Sequence, residues 1–173
     1  MSIDANKPFN SETFEQLLRG SELAHLASEV SSGRRVVVLS GLAGSARALI
    51  LNAIEKQLGR RVVFVARSNR EVEEIQPDVD FFYCALNGGS PSDQSVLTIP
   101  AVEADPYDGT SPHVEVLEQR TLALHRATRG EARILLTSIG ALAERTVSPD
   151  LLKASSITLR PTEEMPPELI VDL

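Results

Sequence analysis

Two short β-branched runs, Arg35-Val36-Val37-Val38-Leu39-Ser40 and Arg61-Val62-Val63-Phe64-Val65-Ala66, are separated by a glycine-rich turn and a helical stretch. This spacing constrains the chain most. A run that is apolar at successive positions has no polar face to give to water, so it suits a strand covered by helices on both sides, as in a parallel sheet. Between the runs, Gly41–Ser45 forms the turn, and Ala46 to Leu58 reads as a helix with Leu49, Ala53 and Ile54 among its apolar positions. Gly59 closes that helix.

The rhythm continues. Val72, Ile75 and Val79 mark a helical face that Pro77 is expected to interrupt or end. Asn87–Asp93 is a turn-rich loop, and Ser95–Ile99 makes a third strand. A second long loop, Asp105–Pro112, precedes a helix in which Val114, Leu117, Thr121 and Leu124 share a face, and Gly130 stops it. Arg133–Thr137 gives the fourth strand, with Ile139, Leu142 and Ala143 in a short helix behind it. Ahead of this series, Leu23, Leu26, Ala27 and Val30 recur at helical spacing up to Ser31-Ser32-Gly33. Strands alternating with helices predict an α/β fold with a parallel sheet flanked by helices.

The first glycine turn carries the chemistry worth weighing. The phosphate-binding loop G-x-x-x-x-G-K-[ST] aims backbone N–H groups at phosphate oxygens, extends a Lys to the β/γ-phosphates and places a hydroxyl on Mg²⁺. Over Gly41-Leu42-Ala43-Gly44-Ser45-Ala46-Arg47-Ala48, only the first glycine is kept. Ala46 stands at the second glycine, Arg47 at the Lys and Ala48 at the Mg²⁺ ligand. A guanidinium fork is a poor copy of a compact ammonium in a tight loop, and a methyl group cannot bind a metal. No acidic strand-end motif for Mg²⁺ and water activation appears, so the fold class expected is a degenerate phosphate-loop NTPase without hydrolysis. Two readings of the loop stay open: a bare strand-to-helix turn, or a weak anion or nucleotide site at a helix N-terminus formed by Gly41, Gly44 and Ser45 with Arg47 as its cation.

Composition narrows the classes. With 24 acidic and 17 basic residues the net charge is −7, which opposes non-specific DNA binding. No apolar run approaches the roughly 20 residues that span a bilayer, and the N-terminus lacks signal-peptide character, so a cytoplasmic protein without membrane contact is expected. The single Cys84, in the apolar stretch Phe81–Ala85, reads as a buried inert thiol. His25, His113 and His125 lack ligand spacing, and no metal site is expected. Glu115, Glu118, Arg120, Arg126 and Arg129 read as a charged helix face, either of solvated pairs or docked to a neighbouring domain.

Four stretches in this order carry a family resemblance: Gly41–Leu49, then Ile99-Pro100-Ala101-Val102-Glu103-Ala104-Asp105-Pro106-Tyr107-Asp108 running to Ser111-Pro112, then Arg120, then Ile134–Leu142. Together they resemble the N-terminal region of bacterial transcription-repair coupling factors over roughly residues 20 to 160. That region is itself similar to the first domain of the excision-repair helicase UvrB. The resemblance implies a polar N-terminal segment over 1–20, a degenerate ATPase-like domain over 21–147, and over 148–173 the truncated start of a second domain that contacts UvrA. It implies no catalytic residue and no cofactor here. ATP and Mg²⁺ would belong to downstream motor domains of a duplex-DNA translocase that displaces stalled RNA polymerase. The partners implied are UvrA, through the following domain, and the other domains of the same chain. A helicase-type domain that keeps weak nucleotide or DNA binding is the alternative.

Two further site readings follow. Asp105, Tyr107 and Asp108 form either a local turn or an interaction loop for UvrA or another domain; with Tyr107 the only tyrosine between Val102 and Ser111, strand insertion by stacking is not expected. Thr137 and Ser138 either cap the next helix or touch a nucleic-acid backbone, as the matching position does in related helicases.

Overall fold

The computed structural model describes residues 16, 18–42, 44–88, 95–103, 109 and 111–157. The elements are α1 (Ser21–Ser31), α2 (Ser45–Leu58), β1 (Val62–Ala66), α3 (Asn69–Asn87), β2 (Val96–Ile99), α4 (Val114–Thr128), β3 (Ile134–Ser138), α5 (Ile139–Ala143) and α6 (Pro149–Ala154). The strands form one parallel sheet in the order β1-β3-β2, with Val62 and Val96 both aligned with Ile134. The result is a small α/β domain whose parallel three-stranded sheet is flanked by helices.

Register decides which residues reach which layer, because side chains alternate between faces along a strand. One face presents Val62, Phe64, Ala66, Ile134, Leu136 and Val96 to α2 and α3, which contribute Ala48, Leu51, Val72, Ile75, Val79 and Tyr83. Val72, Val79, Ile134 and Leu136 lose nearly all contact with water, each burial being worth about 1.5–3 kcal/mol. The opposite face presents Leu97, Ile99 and Leu135 to Ala123, Leu124 and Ala127 of α4 and to Ala141 of α5. Small alanines there let α4 lie close to the sheet.

Three sequence expectations are corrected. Pro77 does not end its helix: α3 runs unbroken for 19 residues. Pro77 and Glu73 both face solvent, so the carbonyl that loses its helical donor can be hydrated while the buried stripe Val72–Ile75–Val79 holds the helix in place. Next, α4 is rotated from its expected face: Val114, Leu117 and Thr121 are exposed, while Arg120 and Ala123 are buried. Periodicity locates apolar stripes but does not choose between two of them, and here the sheet accepts the narrower side chains. Cys84 is half-buried rather than sealed in the core, on the flank of α3.

The largest difference concerns Arg35–Ser40. Among the described residues it joins no sheet, and Val36 and Val38 are 75% and 84% exposed. The run faces α1 instead, bordering a depression with Leu26 and His25 on its far wall. A β-branched sequence favours extended backbone, but a strand also needs a ladder partner. Neither edge of the sheet, β1 or β2, pairs with it.

Candidate functional site: the glycine turn and the strand ends

Gly41 and Gly44 both have positive φ, +77° and +43°, so the turn keeps a backbone shape that glycine permits at low cost. Gly44 is the N-cap of α2 and offers no side chain to the first helical N–H groups. Ser45 and Ala46 are exposed. The two residues that carry the chemistry of a working phosphate loop point elsewhere. Ala48 is fully buried in the core between α2, α3 and the sheet, where a hydroxyl could not reach a metal in the turn. Arg47 Nη1 donates to Glu71 Oε1 at 2.9 Å.

Glu71, not among the candidate site residues of the sequence, dominates the electrostatics of the turn. Ser68 caps α3, its Oγ accepting from the Glu71 N–H at 3.3 Å. This Ser-x-x-Glu spacing, legible in the sequence, turns the Glu71 carboxylate back toward the helix start. There it accepts from Arg47, from the Arg67 N–H at 3.1 Å and from Arg67 Nε at 3.2 Å. The Arg47 guanidinium, followed by the Arg67 backbone and side chain, pulls the Glu71 pKa from 4.5 down to about 2, against the opposing effect of burial. The cation of the turn is thus held by a carboxylate that stays ionised throughout the physiological range.

The carboxyl ends of the strands, where open α/β sheets bind ligands, are tied together by the protein's own polar groups. Asn69, the first residue of α3, donates Nδ2 to the Ala101 carbonyl at 2.9 Å and accepts from the Ala101 N–H at 2.8 Å. Its Oδ1 also accepts from Ser138 Oγ at 3.0 Å, so one amide spans the ends of all three strands. Ser138 is the N-cap of α5, its Oγ accepting from the Ala141 N–H, and Thr137 Oγ1 donates to the Ile99 carbonyl at 2.9 Å. Both hydroxyl residues are buried.

Arg120, read as part of a charged face either solvated or docked to a neighbouring domain, is instead buried within this domain and acts as a clamp. Its Nη1 donates to the Pro100 carbonyl at 2.7 Å, its Nη2 to the Ala141 carbonyl at 3.3 Å, and Nη1 lies 3.2 Å from Glu144 Oε2. Glu144 Oε1 in turn accepts from the Val102 N–H at 2.7 Å. The pair fixes the exit of β2, from which the chain runs toward Asp105, Tyr107 and Asp108; those three lie outside the described residues.

Among the described residues no group of three His, Cys, Asp or Glu side chains is placed to hold a metal ion. None of their helices is long and apolar enough to cross a membrane.

Fold and site together define a parallel α/β domain whose glycine turn has its cation paired internally and whose strand ends are cross-bonded. Its similarities are to one named group of proteins. The chain is 31% identical over 137 residues to a transcription-repair-coupling factor of Myxococcus xanthus, covering 78% of this chain and 11% of that protein. It is 20% identical over 159 residues to a transcription-repair-coupling factor of Bacillus subtilis, covering 92% of this chain and 13% of that one. It is a distant homologue of the bacterial transcription-repair-coupling factors. The chain spans little more than a tenth of the length of these relatives. No protein-family model and no solved structure matches it.

Proposed function

We propose that this chain is the non-hydrolytic, UvrB-like scaffold at the N-terminus of a transcription-repair-coupling factor, presenting a UvrA-binding domain in transcription-coupled nucleotide excision repair. Residues 21–147 form the degenerate ATPase-like domain, and residues 148–173 begin the domain that contacts UvrA. The protein of which it is part acts in the cytoplasm as an ATP-dependent translocase on duplex DNA that displaces stalled RNA polymerase, with ATP and Mg²⁺ at motor domains of its own. The observation that carries the reading is the Arg47–Glu71 pair at 2.9 Å beside a fully buried Ala48. Such a turn has no free cation for a γ-phosphate and no ligand for Mg²⁺. The distant homology supplies the repair context.

The test is a titration of UvrA onto the full-length gene product and onto a form lacking everything from residue 148 onward. Binding by the first and none by the second is expected, with Arg47→Ala changing neither. A full-length product that ignores UvrA would refute the recruiting role, and equal binding by both forms would move the contact into the α/β domain.

One observation favours a second reading. The first turn of α2 has no side-chain cap, and Ser45 is exposed there; the Arg47 N–H is taken by the Gly44 carbonyl at 3.2 Å, which leaves the Ser45 and Ala46 N–H groups to an anion. On that reading the domain retains weak nucleotide or nucleic-acid backbone binding without catalysis.

A further inference from the structure

β1 is built as an internal strand yet stands at the sheet's edge. It pairs with β3 alone among the described residues. Because the Val62 N–H bonds the Arg133 carbonyl in the β3 direction, the alternation of a parallel ladder turns the N–H and C=O groups of Val63 and Val65 outward, to the open edge. Their side chains lie on the face that α4 and α5 cover over β2 and β3, but that cover stops short of β1. Val63 remains 55% exposed and Val65 45%. Edge strands are ordinarily guarded by charge, proline or a bulge along their length. Val62-Val63-Phe64-Val65-Ala66 has none of these within it.

We infer that the open edge of β1 is the docking line for one further strand, supplied by another part of the same, longer polypeptide, apolar over about five residues and acidic at its ends. The apolar requirement follows from Val63 and Val65, whose methyl groups need cover from the neighbour and from whatever packs over it. The acidic requirement follows from the cations that bracket β1: Arg60 and Arg61 precede it, and Arg67, at its exit, is 93% exposed. The same cations disfavour a second copy of this chain as the occupant. Two β1 strands paired antiparallel about Phe64 would set Arg61 opposite Arg67 at both ends, and like charges directly opposed destabilise a ladder. A source within the same polypeptide fits the extent of exposed valine, which requires permanent cover, and the length of the relatives, of which this chain spans 11% and 13%. The inference stands apart from what the glycine turn binds.

The experiment is amide hydrogen exchange of β1 in the 173-residue chain and in the full-length gene product, with sedimentation of the short chain alongside. The Val63 and Val65 amides should exchange at least about tenfold more slowly in the full-length product, as amides paired in a closed ladder do. Val63→Lys with Val65→Lys should leave the melting temperature of the short chain unchanged and abolish that added protection in the long one. Equal exchange of these amides in the two forms would overturn the inference, as would a gene product that ends at Leu173. Protection in the short chain that rises with concentration, together with a sedimenting dimer, would overturn it in favour of self-pairing.

Discussion

Replacing Arg120 with Met tests the clamp at the strand ends most sharply, because Met keeps much of the stem volume while removing the guanidinium. Arg120 is 7% exposed, and its loss leaves the Pro100 and Ala141 carbonyls without the donors now at 2.7 and 3.3 Å. A buried polar group deprived of its partner costs about 1–3 kcal/mol. The short bond to Pro100 belongs near the middle of that range and the long bond to Ala141 at its lower end, for a sum of about 3 kcal/mol. Glu144 adds little, since its side chain is 29% exposed and keeps the Val102 N–H. For a chain of this size about 3 kcal/mol corresponds to a fall in melting temperature of about 6–12 °C. Urea unfolding of Arg120→Met, Glu144→Gln and the double variant gives the assay, with Glu144→Gln alone costing about 1 kcal/mol or less. A change in Arg120→Met below about 0.5 kcal/mol would place it among ordinary surface substitutions and refute the clamp.

Three other outcomes follow from the same geometry. Glu71, with its pKa lowered from 4.5 to about 2, gives stability that is complete above its ordinary value and lost as pH falls through that window, so Glu71→Gln should flatten the drop in urea midpoint between about pH 5 and 3. Asp80 works in the opposite direction, since burial raises its pKa and acid relieves the cost of its charge; a drop as steep in Glu71→Gln as in the parent would exonerate Glu71. Gly44→Ala meets no atom within 4 Å, so its cost is that of the backbone alone; φ +43° with ψ −122° lies outside the left-handed helical well, and a loss of about 1–3 kcal/mol is expected by thermal unfolding; a neutral result would mean that the turn relaxes. Asn52 is fully buried, gives Nδ2 to the Ala48 and Val79 carbonyls, and has no partner for Oδ1. Asn52→Asp should therefore cost about 3 kcal/mol or more by adding a buried charge, whereas Asn52→Leu should stay within about 1.5 kcal/mol of the parent.

The strands that have partners were legible in the sequence. Val62–Ala66, Val96–Ile99 and Ile134–Ser138 fall where β-branched runs place them. Arg35–Ser40 shows the limit of such a reading, because composition reports the wish for burial and not the presence of a neighbouring strand. The same limit hid Arg120 and Glu71. A charged residue on a helix looks solvated until the sheet shows which side is covered, and the two carbonyls that Arg120 serves lie 20 and 21 residues away along the chain. Glu71 was within reach through its Ser-x-x-Glu spacing, but its pairing with Arg47 spans 24 residues and depends on how α2 and α3 pack.

The glycine turn ahead of α2 is proposed to bind no nucleotide, because Arg47 is held by Glu71 and Ala48 by the core. Calorimetric titration of the chain with ATP, with and without Mg²⁺ at near-physiological salt, tests it most directly. No saturable heat is expected with Mg²⁺–ATP, and no difference between the two titrations. Mg²⁺-dependent binding in the micromolar range, abolished by Arg47→Ala, would contradict it.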